Sequence, residues 1–266
     1  MSTTTLEREA TTARPDVRPI PMTRVVGVEL RKMFDTRSGF WLMTSIVIAS
    51  VVASGAVIVF GGDGGQAYDS FAQAFGIPMT VILPIVAVLA VTSEWTQRSG
   101  LTTFTLVPHR GRVIGGKAIA TAVVALTSMV LAFGIGAIGT LLGSLIHGVD
   151  PSWDIPLSQA LYITAGYSIG MAMGFMLGAL LRNSAGAIVA YFVYSFVLPT
   201  LSGLLANAQD WWHDLQPRLD FNFDQYRLYD GGLSAEQWAQ TGVASLLWLV
   251  LPLAIGITML MRSEVK

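Results

Sequence analysis

Two short stretches of this chain carry residue types at the spacing of reactive sites. Gly111–Lys117 has the Gly-x-x-x-x-Gly-Lys spacing of a phosphate-binding P-loop, but Ala118 follows where a Ser or Thr would hold Mg²⁺. Gly166–Gly170 has the Gly-x-Ser-x-Gly spacing of a serine-hydrolase nucleophile. Neither stretch follows a strand-like segment, and the apolar run around Ser168 contains no His, Asp or Glu to act as its base. We therefore expect no catalytic residue, and no enzyme activity in this chain.

Metal and redox chemistry is equally poorly supported. The chain has no cysteine, which excludes disulfides, thiolate nucleophiles and thiolate metal sites. Its three histidines, His109, His147 and His213, fall in three different loops on two sides of the expected membrane. Because a metal site needs its ligands together, we expect no metal and no bound cofactor.

The composition predicts which solvent surrounds the chain. Of its 266 residues, 53% are hydrophobic and 12% are charged, and the mean hydropathy is +0.58. Soluble domains carry roughly 25% charged residues, about twice this share. The net charge of −1 excludes a chain-wide basic footprint for nucleic acid. The sequence therefore predicts an integral membrane protein.

Six apolar stretches without Asp, Glu, Lys, Arg or His have about the length that a spanning helix needs. They are Phe40–Phe60, Phe75–Thr92, Ala118–Ile146, Leu157–Leu181, Ser184–Ala206 and Gln240–Met261. The second carries Pro78 and Pro84, which predict a kinked or broken helix. The fourth and fifth meet at Arg182–Asn183, a hairpin too short to hold a domain. We expect an all-α, six-span protein.

The distribution of basic residues predicts the orientation. Fourteen of the sixteen Lys and Arg residues fall on one side of the six spans, and only Arg218 and Arg227 fall on the other. That other side carries ten acidic residues. By the positive-inside rule, both termini are predicted to be cytoplasmic in a multi-pass protein of the cell membrane.

The segment before the first span divides into two parts. Residues 1–21 are rich in Thr, Arg and Pro and are expected to be a disordered cytoplasmic tail. Residues 22–39 are expected to form an interfacial amphipathic helix, followed by a six-span transmembrane domain over residues 40–266. Apolar residues recur at helical spacing in Met22–Phe34, with Arg24, Arg31 and Lys32 on the other face. Alternatively, this helix is an anchor that only orients the first span.

Two further features favour packing over chemistry. Small residues recur every fourth position in the fourth span, at Gly166, Gly170, Gly174 and Gly178, which predicts a close helix contact within or between subunits. The segment Asn207–Ala239 is too rich in aromatic residues for a free linker, and its tryptophans are Trp211, Trp212 and Trp238. Short helices in the outer interface would account for it, as would a simple aromatic belt.

The loop after the second span carries a recognisable run of residues. It reads Glu94-Trp95-x-x-Arg98-x-Gly100-Leu101-x-Thr103, then Thr105-Leu106-x-Pro108-x-Arg110-x-Arg112. This run resembles the permease subunits of type 2 ABC exporters. Glu29–Lys32 and Thr36–Trp41 resemble the N-terminal helix and first-span start of that family. The resemblance covers most of the chain from Met22, and the order of the motifs agrees with six spans and internal termini.

The resemblance implies a half-transporter that works with a separate cytoplasmic ATPase subunit, which would bind ATP and Mg²⁺, and with a second permease copy, identical or paralogous. It places a coupling helix in Glu94–Lys117, where the residues assigned to coupling are Glu94, Arg98, Gly100, Thr103, Pro108, Arg110 and Arg112. The N-terminal helix, with Glu29, Arg31, Lys32 and Arg37, would lie beside the same ATPase, and the Asn207–Ala239 segment would form short re-entrant helices.

Two alternatives stay open. The charged residues of the loop after the second span could be solvated and have no shared role. A non-transporting scaffold, assembly or immunity protein is the alternative for the whole chain, and neither substrate nor direction follows from the residues themselves.

Overall fold

The computed structural model describes residues 20–96 and 110–262, with side chains at all but a few of these positions. Over these ranges the chain is helical and has no strand. Six helical segments are long and apolar enough to cross a membrane, namely Gly39–Phe60, Tyr68–Ser93, Gly111–His147, Leu157–Leu181, Ser184–Ala208 and Ala235–Arg262. The predicted all-α, multi-pass membrane architecture is confirmed, and we call these segments the first to sixth spans.

The helices follow one another with short connections. Those up to the fourth span are α1 (Met22–Asp35), α2 (Arg37–Phe60), α3 (Tyr68–Thr96), α4 (Arg110–His147) and α5 (Leu157–Leu181). The fifth span comprises α6 (Ser184–Phe192) and α7 (Leu198–Ala208), and the sixth comprises α10 (Ala235–Ser245) and α11 (Leu251–Arg262). Between these two spans lie the short helices α8 (Asp210–Leu219) and α9 (Phe221–Tyr229).

The core is centred on the second and fourth spans. These two spans are the most buried, at 56% and 61%, whereas the first, fifth and sixth spans are each only 17% buried. Large apolar side chains such as Val52, Phe60 and Leu145 remain exposed on the outside of the bundle. An apolar exterior around a packed interior suits a chain whose surrounding solvent is lipid.

The second span is one continuous helix, which excludes the broken alternative of the predicted kinked or broken helix; the kink stays a prediction. The span begins at Tyr68 rather than Phe75, because Phe71 and Phe75 are fully buried and Tyr68 Oη donates to Phe133 O of α4 at 3.0 Å. Pro84 removes the N–H that would bond the carbonyl of Thr80 four residues earlier. Tyr191 Oη of the fifth span donates to that carbonyl oxygen at 2.8 Å instead. The proline is therefore accommodated by a partner from a neighbouring helix.

The fifth and sixth spans each contain a π-helical turn that the sequence reasoning did not anticipate. These turns are Val193–Val197 and Leu246–Val250, and each ends two residues before a proline, Pro199 or Pro252. A proline ring clashes with the carbonyl of the preceding turn, and one wider turn relieves that clash. The short segment Val-Leu-Pro, which occurs at both places, was the available signal.

The hairpin between the fourth and fifth spans is as tight as predicted. Arg182 adopts a left-handed conformation (φ 52°) and its N–H bonds Gly178 O at 3.0 Å, which ends α5. Asn183 then caps the next helix, its Oδ1 accepting from Gly186 N at 2.9 Å. These two residues reverse the chain without room for an intervening domain.

Candidate functional site

A buried ion pair joins α1 to the third span. Glu29 Oε2 lies 2.8 Å from Lys117 Nζ, and each side chain is only 5% exposed. Lys117 Nζ also donates to Ala90 O of α3 at 2.8 Å, and Lys32 Nζ donates to Glu29 Oε1 at 2.7 Å. One buried charged cluster therefore connects α1, the end of the second span and the beginning of the third.

The local sequence explains why α1 approaches so closely. Val25 and Glu29 stand four residues apart, so they share one face of α1, and both are buried. That face lies on a pair of glycines: a Cβ on Gly116 would be 2.7 Å from Val25 Cγ1, and one on Gly115 would be 3.0 Å from Met22 Cε. The stretch that imitates a P-loop is thus a close helix contact followed by a lysine in an ion pair.

The other residues assigned to the N-terminal helix differ from Glu29. Arg31 is exposed, and Lys32 has a side chain 42% exposed. Arg37 is not part of α1, because Thr36 is extended and its Oγ1 accepts from Gly39 N at 3.0 Å, which caps the first-span helix that begins at Arg37. The interfacial helix therefore ends at Asp35, earlier than the expected residue 39.

The predicted coupling loop is only partly within the described residues. Glu94 lies in the last turn of α3, and Arg110 is the first residue of α4; for both the structure describes the backbone. Arg112 Nη2 donates to Ile20 O, so it bonds a residue two positions before α1 begins. The remaining assigned positions lie outside the described residues: Arg98, Gly100, Thr103 and Pro108. Ala90 lies six residues before α3 ends at Thr96, and Lys117 lies seven residues after α4 begins at Arg110, so the ion pair is about two helical turns from each end of this loop.

The glycines of the fourth span pack against other parts of the same chain. A Cβ on Gly174 would be 2.4 Å from Pro84 O, and one on Gly178 would be 3.3 Å from Val88 Cα, both in α3. A Cβ on Gly166 would be 2.5 Å from the Tyr229 ring of α9. Ser168 Oγ donates to Thr164 O of its own helix at 2.7 Å. The Gly-x-Ser-x-Gly stretch is therefore packing surface, with its hydroxyl bonded to the backbone.

The segment between the fifth and sixth spans is folded into the bundle. Gln225 Nε2 of α9 donates to Gly166 O at 2.9 Å, and Gly166 is nine residues into the fourth span, a depth of roughly 14 Å along the helix. Asn222 Nδ2 donates to Tyr194 O at 2.6 Å, a carbonyl within the first π-helical turn. Helix α9 thus packs against the fourth and fifth spans, and its re-entrant position in the membrane stays a prediction.

The three tryptophans of this segment have different environments. Trp211 and Trp238 are about half exposed, at 56% and 47%. Trp212 Nε1 donates to Ser202 O of the fifth span at 3.1 Å. The first two have the exposure of interfacial residues, whereas Trp212 ties α8 to a span.

Sequence reasoning missed the groups that are buried and polar at once. The sequence places Glu29 on α1 without a partner, and it places Lys117 only at the end of the predicted coupling segment Glu94–Lys117. Asp224 of α9 is fully buried and had not been singled out. A glutamate four residues after a valine on the apolar face of α1 was the one available signal for the first pair.

Two further results concern metal binding and similarity to known proteins. Within the described residues, no three His, Cys, Asp or Glu side chains are grouped so as to hold a metal ion. The chain matches no protein-family model and no curated protein. The functional assignment therefore depends on the residues and their geometry.

Proposed function

We propose that this chain is the membrane-spanning permease subunit of an ATP-binding cassette exporter, driven by a separate cytoplasmic ATPase subunit. In this proposal two permease copies, identical or paralogous, form the translocation path in the cell membrane, and both termini are cytoplasmic. We infer that transport is outward, because the sequence motifs resemble those of type 2 exporters.

The buried pair of Glu29 and Lys117 carries the proposal. It fixes α1 to the second and third spans beside the loop that resembles the coupling helix. A movement imposed on that loop or on α1 by a cytoplasmic partner would be transmitted to both spans, because a buried ion pair resists separation of its charges. A simple lipid anchor would need no such internal connection.

The distribution of charge within the spans supports an external energy source. Over the described spans, the ionisable residues lie within two positions of a span end, with Lys117 at the seventh position of the third span as the exception. Ion-coupled transporters place ionisable residues near the bilayer midplane. A transporter without such residues in its spans needs its energy from a partner.

The proposal is tested by isolating the full chain from its native membrane in mild detergent. We expect it to copurify with a protein that has Walker A and signature motifs, and the complex to hydrolyse ATP in a vanadate-sensitive manner. Glu94→Ala and Arg98→Ala should weaken association or ATP turnover while leaving membrane insertion intact. Asp150→Ala, on the opposite side of the predicted membrane, is the matched control and should change neither.

Two results would contradict the proposal. One is a chain that purifies at native abundance without any ATPase, which would favour the scaffold alternative. The other is a complex in which Glu94→Ala and Arg98→Ala both retain full association and turnover, which would make the loop a mere connector.

A further inference from the structure

Asp224 is a fully buried carboxylate with only half of its hydrogen-bonding capacity used. Its Oδ1 lies 3.3 Å from Arg227 Nη1, and its Oδ2 has no hydrogen-bond partner in the described part of the chain. Arg227 is also shared: Nη1 donates to Gln240 Oε1 at 3.2 Å, and the guanidinium carbon lies 4.3 Å from the centre of the Phe223 ring. The buried carboxylate therefore has a single long ion-pair contact, and its partner Arg227 also bonds Gln240 and has a side chain that is 25% exposed.

This carboxylate sits where α9 is held between two spans. On one side, Gln225 bonds Gly166 of the fourth span. On the other, Arg227 bonds Gln240 of α10, and Gln240 Nε2 donates to Glu236 Oε1 at 3.2 Å. Arg227, which pairs with Asp224 within α9, thus forms the connection between α9 and the beginning of the sixth span.

The surroundings disfavour the charged form of Asp224. Burial raises its pKa to about 6, Arg227 opposes that effect, and the nearby Asp220 carboxylate adds to it. The elements packed around α9 present few other charges: Glu236 on α10, and on α8 a set of exposed groups, Asp210, His213, Asp214 and Arg218. The fourth and fifth spans face α9 with the tyrosines Tyr167 and Tyr194.

We propose that Asp224 is a proton-binding site that acts as a latch: its protonated form holds α9 in the packed position between the fourth and sixth spans, and its ionised form lets α9 separate from α10. Protonation of Asp224 removes the buried charge, and the Arg227 guanidinium then interacts with Gln240 and solvent. Ionisation leaves an incompletely bonded anion that gains by reaching water. This inference does not depend on the identity of the ATPase partner.

The sign and size of the effect follow from linkage. The packed state binds the proton more tightly than a state in which Asp224 is hydrated, so packing is favoured at acidic pH and weakened as the pH rises through 6. For a hydrated carboxyl of ordinary pKa near 3.9, the opening equilibrium should rise about tenfold between pH 5 and pH 8.

A buried reporter on α10 makes the separation measurable. Ala244 is fully buried and packs in a cluster with Phe221 of α9, and the chain has no native cysteine. In the Ala244→Cys variant of the full chain in lipid nanodiscs, thiol labelling is measured from pH 5 to pH 8 and divided by the rate for the denatured chain. We expect labelling to increase about tenfold with a midpoint near pH 6.

Three further variants in the Ala244→Cys background separate Asp224 from its neighbours. Asp224→Asn mimics the protonated form and should abolish the pH dependence, with labelling slow throughout. Glu236→Gln and His213→Gln remove an acidic and an imidazole group from the same region and should leave the pH dependence unchanged. Arg227→Gln removes the cation that stabilises the anion, so the midpoint should move to higher pH.

Other outcomes would overturn the latch. One is an Ala244→Cys parent whose labelling rate, divided by that of the denatured chain, does not change between pH 5 and pH 8. The others are an Asp224→Asn variant that keeps the full pH dependence and a His213→Gln variant that loses it. If Asp224→Asn does not yield folded protein, the Arg227→Gln variant decides, because an unchanged or lowered midpoint contradicts the proposal.

Discussion

Gly174 of the fourth span lies against the backbone of Pro84 in the second span. A Cβ at position 174 would be 2.4 Å from Pro84 O and 2.9 Å from Pro84 Cα. Because these are backbone atoms of a helix, they cannot move aside as the end of a flexible side chain could. The contact of the two most buried spans therefore requires glycine at this position.

Gly174→Ala should lower the stability of the protein. The added methyl forces the two helices apart, and overpacking of this kind costs typically about 1–3 kcal/mol. The measurement is the thermal denaturation midpoint of the full chain in detergent. Gly134→Ala is the control, because a Cβ there meets nothing within 4 Å and alanine has the higher helix propensity. Equal midpoints for the two variants would contradict the packing argument.

Tyr191→Phe should also destabilise the chain, for a polar reason. Tyr191 Oη donates to Thr80 O, the carbonyl that Pro84 deprives of its helical donor, and Tyr191 is 1% exposed. Loss of the hydroxyl leaves that buried carbonyl unsatisfied, at a cost of roughly 1–3 kcal/mol. Tyr226→Phe, at a residue 47% exposed, is the matched control and should have little effect. A denaturation midpoint for Tyr191→Phe equal to that of the parent would show that Thr80 O is satisfied otherwise.

The six spans could be predicted from the sequence because apolar length is a local property. The fourth span was predicted residue by residue, since Pro156 precedes it and Arg182 ends it. The second and third spans extend beyond their apolar cores at Tyr68 and Arg110, because those extra turns pack on neighbouring helices. Such extensions depend on tertiary contacts, which hydropathy does not contain.

The candidate site could be predicted only in outline. The amphipathic spacing of α1 predicted the helix, but it assigned Glu29 to neither face. The partner of Glu29 is 88 residues away, and which lysine meets it depends on the approach of α1 over Gly115 and Gly116. The glycine stripe was likewise visible, whereas its partner Pro84 became known only from the packed structure.

The orientation of the chain is open to a direct test. Arg24 and Asp150 are both exposed, and the fourteen-to-two distribution of basic residues predicts that they lie on opposite sides of the membrane. On intact cells, an impermeant thiol reagent should label the Asp150→Cys variant and should label the Arg24→Cys variant only after permeabilisation. The reverse pattern would place both termini outside and remove the proposed access to a cytoplasmic ATPase.

The ion pair of Glu29 and Lys117 should be the most sensitive polar contact of α1. Removing one partner leaves the other charge buried, which typically costs about 3–5 kcal/mol. We therefore expect Glu29→Gln and Lys117→Met each to lower the denaturation midpoint strongly. Lys32→Met should cost less than about 1 kcal/mol, because that side chain is 42% exposed.

The double variant Glu29→Gln/Lys117→Met distinguishes a true pair from two independent buried groups. If the charges compensate one another, removing both leaves no buried charge behind, so the double variant should be more stable than the sum of the single effects predicts. If the two effects simply add, the charges are not coupled, and α1 would be held by its apolar contacts, such as those of Met22 and Val25 with the glycines of α4. Measured together with ATP turnover of the complex, the double variant also separates the two roles of the pair. Stability recovered without recovered turnover is the result expected if the ion pair transmits movement from α1 to the second and third spans.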